Sequence, residues 1–382
     1  MAISPRSLSR RQFLRTTGLG LGAAFVAPSV LAACTTPGSN DFTFSNWVAY
    51  IDEDDSGNSR GKGTTIYDFE KQTGISMRYL TDFNDNDEYF NRSFSPLLGR
   101  GKRIAADLVA PTYWMAARLK KLGWLDEIDL ANVPNHKYLE DAYTNLPWDP
   151  GAKHFMPWQA GIAGLAYNPK LTGKDIKSMD DFYDPKYKGQ VTMLTEMRDS
   201  VGLTMMGDGK KASDAKPADI DAALDKIEKA RKDGQILKFT GNEYLQGLQN
   251  GDFAICVAWS GDIFSLGEES GIKFVVPETG GTQWFDAMVI PKGAVHKAEA
   301  EKWMDFVYDP ENAARITEWV GYISPVKGVK DVLRKKGGDA AALADNPLVF
   351  PDAEIQQRLQ VFGTLSQEDE IAIQTRFNDI TG

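Results

Sequence analysis

Cysteine and histidine are nearly missing from this 382-residue chain: Cys34 and Cys256 are the only thiols, and His136, His154 and His296 the only imidazoles. None of them sits in a paired-cysteine or H-E-x-x-H cluster, so no metal site is expected. A phosphate loop of the form G-x-x-x-x-G-K-[ST] is also missing, and no G-x-G-x-x-G follows a strand-like run, so neither a nucleotide nor any other cofactor is expected. Cys256 lies in the apolar run Phe253-Ala254-Ile255-Cys256-Val257-Ala258, which reads as a buried, inert thiol, and disulfides do not staple the fold. Basic residues are in deficit, 43 against 53 acids. Residues 1–33 hold four arginines and no acid, so without them the balance is 39 against 53, or −14. Such a surface argues against nucleic acid or anionic lipid as a partner and mildly favours a cationic ligand.

The N-terminus supplies an address. Ser9-Arg10-Arg11-Gln12-Phe13-Leu14-Arg15 precedes an apolar, glycine- and alanine-rich stretch from Gly18 to Ala33, and Cys34 follows. The stretch is short for a membrane span, and Leu31-Ala32-Ala33 offers the small residues a signal peptidase requires. The segment resembles a twin-arginine export signal ending in a lipobox, with a simple signal anchor as the alternative. The resemblance implies that residues 1–33 are removed, that Cys34 becomes an acylated N-terminus, and that residues 34–40 form a lipidated tether. The body would then be held by lipid alone on the outer side of the cytoplasmic membrane or in the periplasm.

Residues 41–382 exceed what one compact core usually accommodates, so two lobes are expected. Strand-like apolar runs occur at 42–47, 104–110, 161–167, 191–194, 253–259, 272–276 and 287–290. Helical patterns lie between them. Residues 64–73 carry Ile66, Tyr67 and Phe69 and stop at Gly74, while residues 298–308 place Ala300, Trp303, Met304 and Val307 on one face before Pro310. Alternating strands and helices over this length indicate an α/β architecture with largely parallel sheets. Residues 51–63 break the pattern as a polar, glycine-rich loop. They contain Gly57-Asn58-Ser59-Arg60-Gly61, a nominal G-x-S-x-G, but its flanks are acidic and glycine-rich where a nucleophile elbow needs an apolar strand and a helix. The acidic spacing of Asp52 and Asp54 lacks the twelve-position pattern of a calcium loop.

Two stretches carry the chemistry. Trp259-Ser260-Gly261-Asp262 and Trp284-Phe285-Asp286 each place an indole and a carboxylate a few residues apart near an apolar run. An indole face attracts an organic ammonium, by roughly 0.5 to 2 kcal/mol, and a nearby carboxylate adds charge-assisted hydrogen bonds. A packed core role is the alternative for each pair. Glu196 and Asp199 would also suit a glycosidase acid pair, but their i, i+3 spacing on a helix brings them too close for that reaction.

Several motifs, in order from about Asp41 to the C-terminus, resemble the spermidine/putrescine-binding proteins of polyamine ABC importers. Asn46-Trp47-Val48-Ala49-Tyr50 is similar to that family's N-W-x-x-Y, which implies Trp47 and Tyr50 as ligand contacts. Asp107-Leu108-Val109-Ala110-Pro111-Thr112-Tyr113-Trp114 is similar to D-L-V-x-P-S-x-Y and implies Thr112 and Trp114. Thr195-Glu196-Met197-Arg198-Asp199 stands where the family has D-x-R-E with the acids exchanged, implying Glu196 and Asp199 around one ammonium end. Trp259-Ser260-Gly261-Asp262 resembles the W-x-G-D of putrescine-preferring members, and Gly280-Gly281-Thr282-Gln283-Trp284-Phe285-Asp286 resembles G-G-x-x-W-x-D. Gly321-Tyr322-Ile323-Ser324-Pro325 resembles G-Y-x-x-P and implies Tyr322. Asp184–Gly189 and Phe350–Glu354 match as landmarks outside the site. The family's late glutamine contact falls near Gln360 and Phe362 and is not transferred, and the loop 52–63 is an insertion relative to shorter members.

The resemblance implies a two-lobe periplasmic-binding-protein fold of type II, with mostly parallel sheets and a hinge. Residues 41–160 with 286–330 would form one lobe, and 161–285 with 331–382 the other. It implies a monomeric, non-enzymatic carrier that takes putrescine or spermidine into a cleft between lobes and delivers it to the transmembrane subunits of an ABC permease. Rival readings are a carrier of sugar or another solute, a ferric-ion binder, for which adjacent tyrosines are not evident, and a secreted glycoside hydrolase.

Overall fold

The first strand, β1 (Phe42–Trp47), is buried along nearly its whole length, as expected of a strand covered on both faces. It pairs in parallel with β2 (Met77–Phe83) on one side and β3 (Leu108–Val109) on the other, with Phe44 opposite both Tyr79 and Leu108. Between β1 and β2 lies helix α1 (Thr65–Thr73). The Thr64 side chain accepts from the Tyr67 N–H at its start, and at its end Gly74 takes φ 73°, a conformation that suits glycine. Helix α2 (Tyr113–Lys121) follows β3. The computed structural model describes residues 41–382 except 84, 145, 147, 148 and 242, so the export signal and Cys34 lie outside the described residues.

Strands β4 (Met156–Tyr167), β5 (Val191–Leu194), β6 (Ile236–Thr240), β7 (Ile255–Trp259), β8 (Lys273–Val275), β9 (Gly281–Met288) and β10 (Leu359–Gln360) form a second, seven-stranded sheet. Its order is β10-β9-β4-β7-β5-β6, with β8 on β4. β5 runs parallel to β6 and β7, whereas β4 is antiparallel to β7 and β8, so this sheet is mixed. Helices α3 (Met197–Gly207) and α4 (Pro217–Lys232) follow β5; α5 (Tyr244–Asn250) precedes β7; and α6 (Ser260–Leu266) leaves it. Helix α7 (Lys297–Val307) buries Ala300, Trp303, Met304 and Val307, the face its sequence marks as apolar. Its Trp303 meets Phe69 edge to face, with ring centres 5.1 Å apart. Helix α8 (Gln367–Thr381) ends the chain.

The described residues divide into two compact units. One comprises the chain up to Gln159 with Phe285–Val320 and Ser324–Ala341; the other comprises Ala160–Trp284, Gly321–Ile323 and Ala342–Gly382. The chain changes unit five times, first inside β4 and next inside β9.

Several elements differ from the sequence expectation. β2 and β6 interrupt their apolar residues with Arg78 and Asp82, and with Lys238, and both lie at sheet edges where one face meets solvent. The 104–110 run contracts to two paired residues, and the run at 287–290 belongs to a strand that begins at Gly281. The polar loop is organised by its own acids. Asp54 Oδ1 accepts from the Ser56 N–H, the Ser56 hydroxyl and the Asn58 N–H, and buried Asp52 accepts from the Thr65 N–H at the start of α1. Cys256 is fully buried on β7, where burial pushes its thiol up to about 12.

Candidate functional site

In the first unit, every site residue implied by sequence before residue 115 follows the C-terminal end of a parallel strand, where open α/β sheets present their binding groups. Trp47 ends β1, Tyr50 comes three residues later, and Thr112 and Trp114 follow β3. The Trp47 indole N–H donates to the Ala110 carbonyl at 2.7 Å, and its ring packs on Phe83 at 4.5 Å between centres. That bond fixes the indole plane. Tyr50 and Thr112 meet at one acid: the Tyr50 hydroxyl donates to Asp286 Oδ2 at 2.7 Å, and the Thr112 hydroxyl donates to Asp286 Oδ1 at 2.8 Å. Asn86 locks Thr112 from behind, its Oδ1 accepting from the Thr112 N–H and its Nδ2 donating to the Thr112 hydroxyl.

Asp286 is only 4% exposed, and among the described residues no lysine, arginine or histidine pairs with it. Burial pushes its carboxyl up to about 7, while the bonds from Tyr50 and Thr112 pull in the opposite direction. A carboxylate held only by neutral hydroxyls has no counter-charge beside it, and a cation arriving there would favour its ionised form.

In the second unit the implied residues form a linked series. The Thr282 hydroxyl donates to Asp199 Oδ1 at 2.6 Å, and the Trp259 indole N–H donates to Asp199 Oδ2 at 2.8 Å. The Trp259 backbone N–H donates to the Tyr244 hydroxyl, which donates in turn to Asp262. The Tyr322 hydroxyl reaches the other oxygen of Asp262 at 3.1 Å, and the Tyr322 ring stands against Trp284, centres 5.4 Å apart and planes at 66°. Both acids sit just past β5 and β7, which are parallel, so Asp199 on α3 and Asp262 on α6 emerge at the same edge of the sheet. Burial raises the Asp199 carboxyl to about 6, opposed by the Thr282 and Trp259 bonds and by the charge of Arg198.

Glycines seat these rings. A β-carbon at Gly161 would lie 2.4 Å from the Trp284 ring, and one at Gly261 would lie 2.4 Å from the Tyr322 ring. Gly261 of the W-x-G-D stretch therefore serves a residue sixty-one positions away. Gly321, at φ +69°, lies against Phe264 in the same manner.

Glu196 is arranged differently from Asp199. It caps α3 by accepting from the Arg198 N–H, and its carboxylate stands 3.8 Å from the Arg198 guanidinium. Arg198 is buried and also donates to Glu370 on α8 at 2.9 Å. The two acids thus have different neighbours, and their placement at one helix start gives no glycosidase geometry. Gln360 accepts from the Ser213 N–H, and Phe362 is buried near Gly202. Asn86, Tyr244 and Thr282 are the residues sequence reasoning passed over. Only Thr282 lay inside a quoted motif, and a hydrogen-bond partner distant in sequence leaves no local pattern.

Two sets of carboxylates and indoles, one in each unit, suit capture of a solute. The chain is 24% identical to the spermidine/putrescine-binding periplasmic protein of Escherichia coli (strain K12), over 90% of this chain and 90% of the relative. It is 25% identical to the putrescine-binding periplasmic protein SpuD of Pseudomonas aeruginosa (strain UCBPP-PA14), over 94% and 97%. Among solved structures, a Listeria monocytogenes chain named for a spermidine/putrescine ABC transporter superposes with a TM-score of 0.75 at 28% identity, covering 90% of this chain and 99% of that one. A spermidine/putrescine ABC transporter substrate-binding protein from Streptococcus pneumoniae shares the fold, with a TM-score of 0.72 at 24% identity over 90% and 98%. Residues 64–351 match the bacterial extracellular solute-binding proteins, a family that binds solutes without transforming them, and the chain belongs to that family.

Proposed function

We propose that this protein captures linear polyamines, putrescine or spermidine, outside the cytoplasm and hands them to the transmembrane subunits of an ABC importer. Asp286 carries the reading, as a deeply buried carboxylate with two hydroxyl donors and no cationic partner among the described residues. An alkylammonium supplies the missing positive charge and three N–H donors. Asp199 and Asp262 on the second unit receive the remaining ammonium character of the ligand, while Trp47, Trp114, Trp259, Trp284 and Tyr322 shield its methylene stem. Removing an ammonium from water costs several kcal/mol, which only matched acids recover, so acid placement selects ligand length. The names of the relatives from Escherichia coli and Pseudomonas aeruginosa support the same ligand class.

On this reading the leader exports the chain through a twin-arginine route, Cys34 carries the lipid, and the body works as a monomer. Calorimetric titration of the purified mature protein with putrescine, spermidine and maltose tests the ligand class. Micromolar binding of an amine, about −8 kcal/mol, with no heat from maltose is the expected result. Maltose binding without amine binding would overturn it.

A further inference from the structure

Tyr244 opens α5, is fully buried, and belongs to none of the motifs that mark the site in sequence. Its hydroxyl makes two bonds whose directions are forced. The Trp259 backbone N–H, at 3.0 Å, can only donate, so the phenol oxygen accepts from it. The single phenol proton is then available to Asp262 Oδ2, at 2.9 Å. Burial holds the phenol well above its ordinary range, so that proton stays in place across the working pH of the protein.

Trp259 is the last residue of β7, and Asp262 is the third residue of α6. One side chain from a third element therefore ties the strand end to the first helical turn. The other oxygen of Asp262 takes the Tyr322 hydroxyl, so each carboxylate oxygen accepts from a phenol.

We propose that Tyr244 is a positioning residue for solute recognition: it fixes Asp262 in register with the Trp259 indole, so that acid and ring read one ammonium group together. The proposal rests on the polyamine reading above. A buried carboxylate released from one of its donors reorients, and the distance between acid and ring is no longer set.

The test is a double-mutant cycle with putrescine as the probe. Dissociation constants are measured by calorimetry for the unaltered protein, Tyr244→Phe, Asp262→Asn and the double variant, with thermal melts confirming that each is folded. Tyr244→Phe keeps the ring and removes only the hydroxyl, and it is expected to weaken putrescine about tenfold. In the Asp262→Asn background the same change is expected to alter affinity less than about twofold, because the group being positioned is gone. Equal losses in both backgrounds, with the unaltered protein binding putrescine, overturn this proposal alone. No putrescine binding by the unaltered protein overturns the polyamine reading and this proposal with it. Should Tyr244→Phe fail to fold, a crystal structure of the unaltered protein with putrescine decides. A ligand nitrogen bonded to Asp262 over the Trp259 ring, with both Tyr244 bonds kept, supports the proposal; Asp262 remote from every ligand nitrogen overturns it.

Discussion

The two units hold their buried acids in different ways. The first isolates one carboxylate, Asp286, between the hydroxyls of Tyr50 and Thr112, with no cationic side chain beside it among the described residues. The second links two carboxylates, Asp199 and Asp262, through Trp259 and Tyr244, and brings the charge of Arg198 to bear on Asp199. The contrast shows in the carboxyl groups: burial takes Asp286 to about 7 but Asp199 only to about 6. Asp286 thus has only neutral donors beside it, while in the second unit a cationic side chain opposes the effect of burial on Asp199.

The largest expected effect breaks the comparison at the first unit. Asp286→Asn should weaken putrescine roughly a hundredfold, on the order of 2 to 3 kcal/mol, as a charged hydrogen-bonding partner is lost. The melting temperature of the free protein should change little at acid pH, which a calorimetric titration paired with a thermal melt would check. The same substitution reports on pH. Because the folded-state pKa of Asp286 is raised, the folded chain holds a proton that the unfolded chain has lost between about pH 4 and pH 7. The contribution of this group to stability therefore falls as pH rises through that window and is flat above it. The drop in melting temperature from pH 5 to pH 8 should be smaller in Asp286→Asn than in the unaltered protein.

The second unit should respond to shape first. Gly161→Ala drives a methyl to 2.4 Å from the Trp284 ring, so the indole must move. About 1 to 3 kcal/mol of stability and roughly tenfold in affinity should be lost, read from urea unfolding and titration. Glu370→Gln is the mildest change. It weakens the ion pair that holds Arg198 next to Glu196 without touching either Asp199 or Asp286. It should cost about 1 kcal/mol of stability and less than threefold in affinity. An affinity loss as large as that of Asp286→Asn would erase the distinction between the two units.

Some of this was legible in the sequence. β1 and α1 were readable because closely spaced aromatic residues and a helix that stops at a glycine cap are local signals, and α7 because its four core residues repeat at helical spacing. β2 and β6 were not, since edge strands carry charge on their open face. The antiparallel pairing of β4 was likewise hidden, because pairing direction is set by partners about a hundred residues away. The motifs named Tyr50, Thr112 and Asp286 separately, and the structure joins them by hydrogen bonds although Tyr50 and Asp286 are 236 positions apart. What the motifs did not disclose is the division of labour: Glu196 beside Arg198, Asp199 against Trp259, and Gly261 making room for Tyr322.

The most direct measurement is the proton inventory of putrescine binding at pH 6.5, taken from calorimetry in two buffers of different ionisation enthalpy. Because burial raises both Asp286 and Asp199, an arriving ammonium should expel protons from the site, and Asp286→Asn should reduce that release. A binding enthalpy independent of buffer, or a proton release unchanged in Asp286→Asn, would contradict the assignment of Asp286 as the acid that meets the ligand's charge.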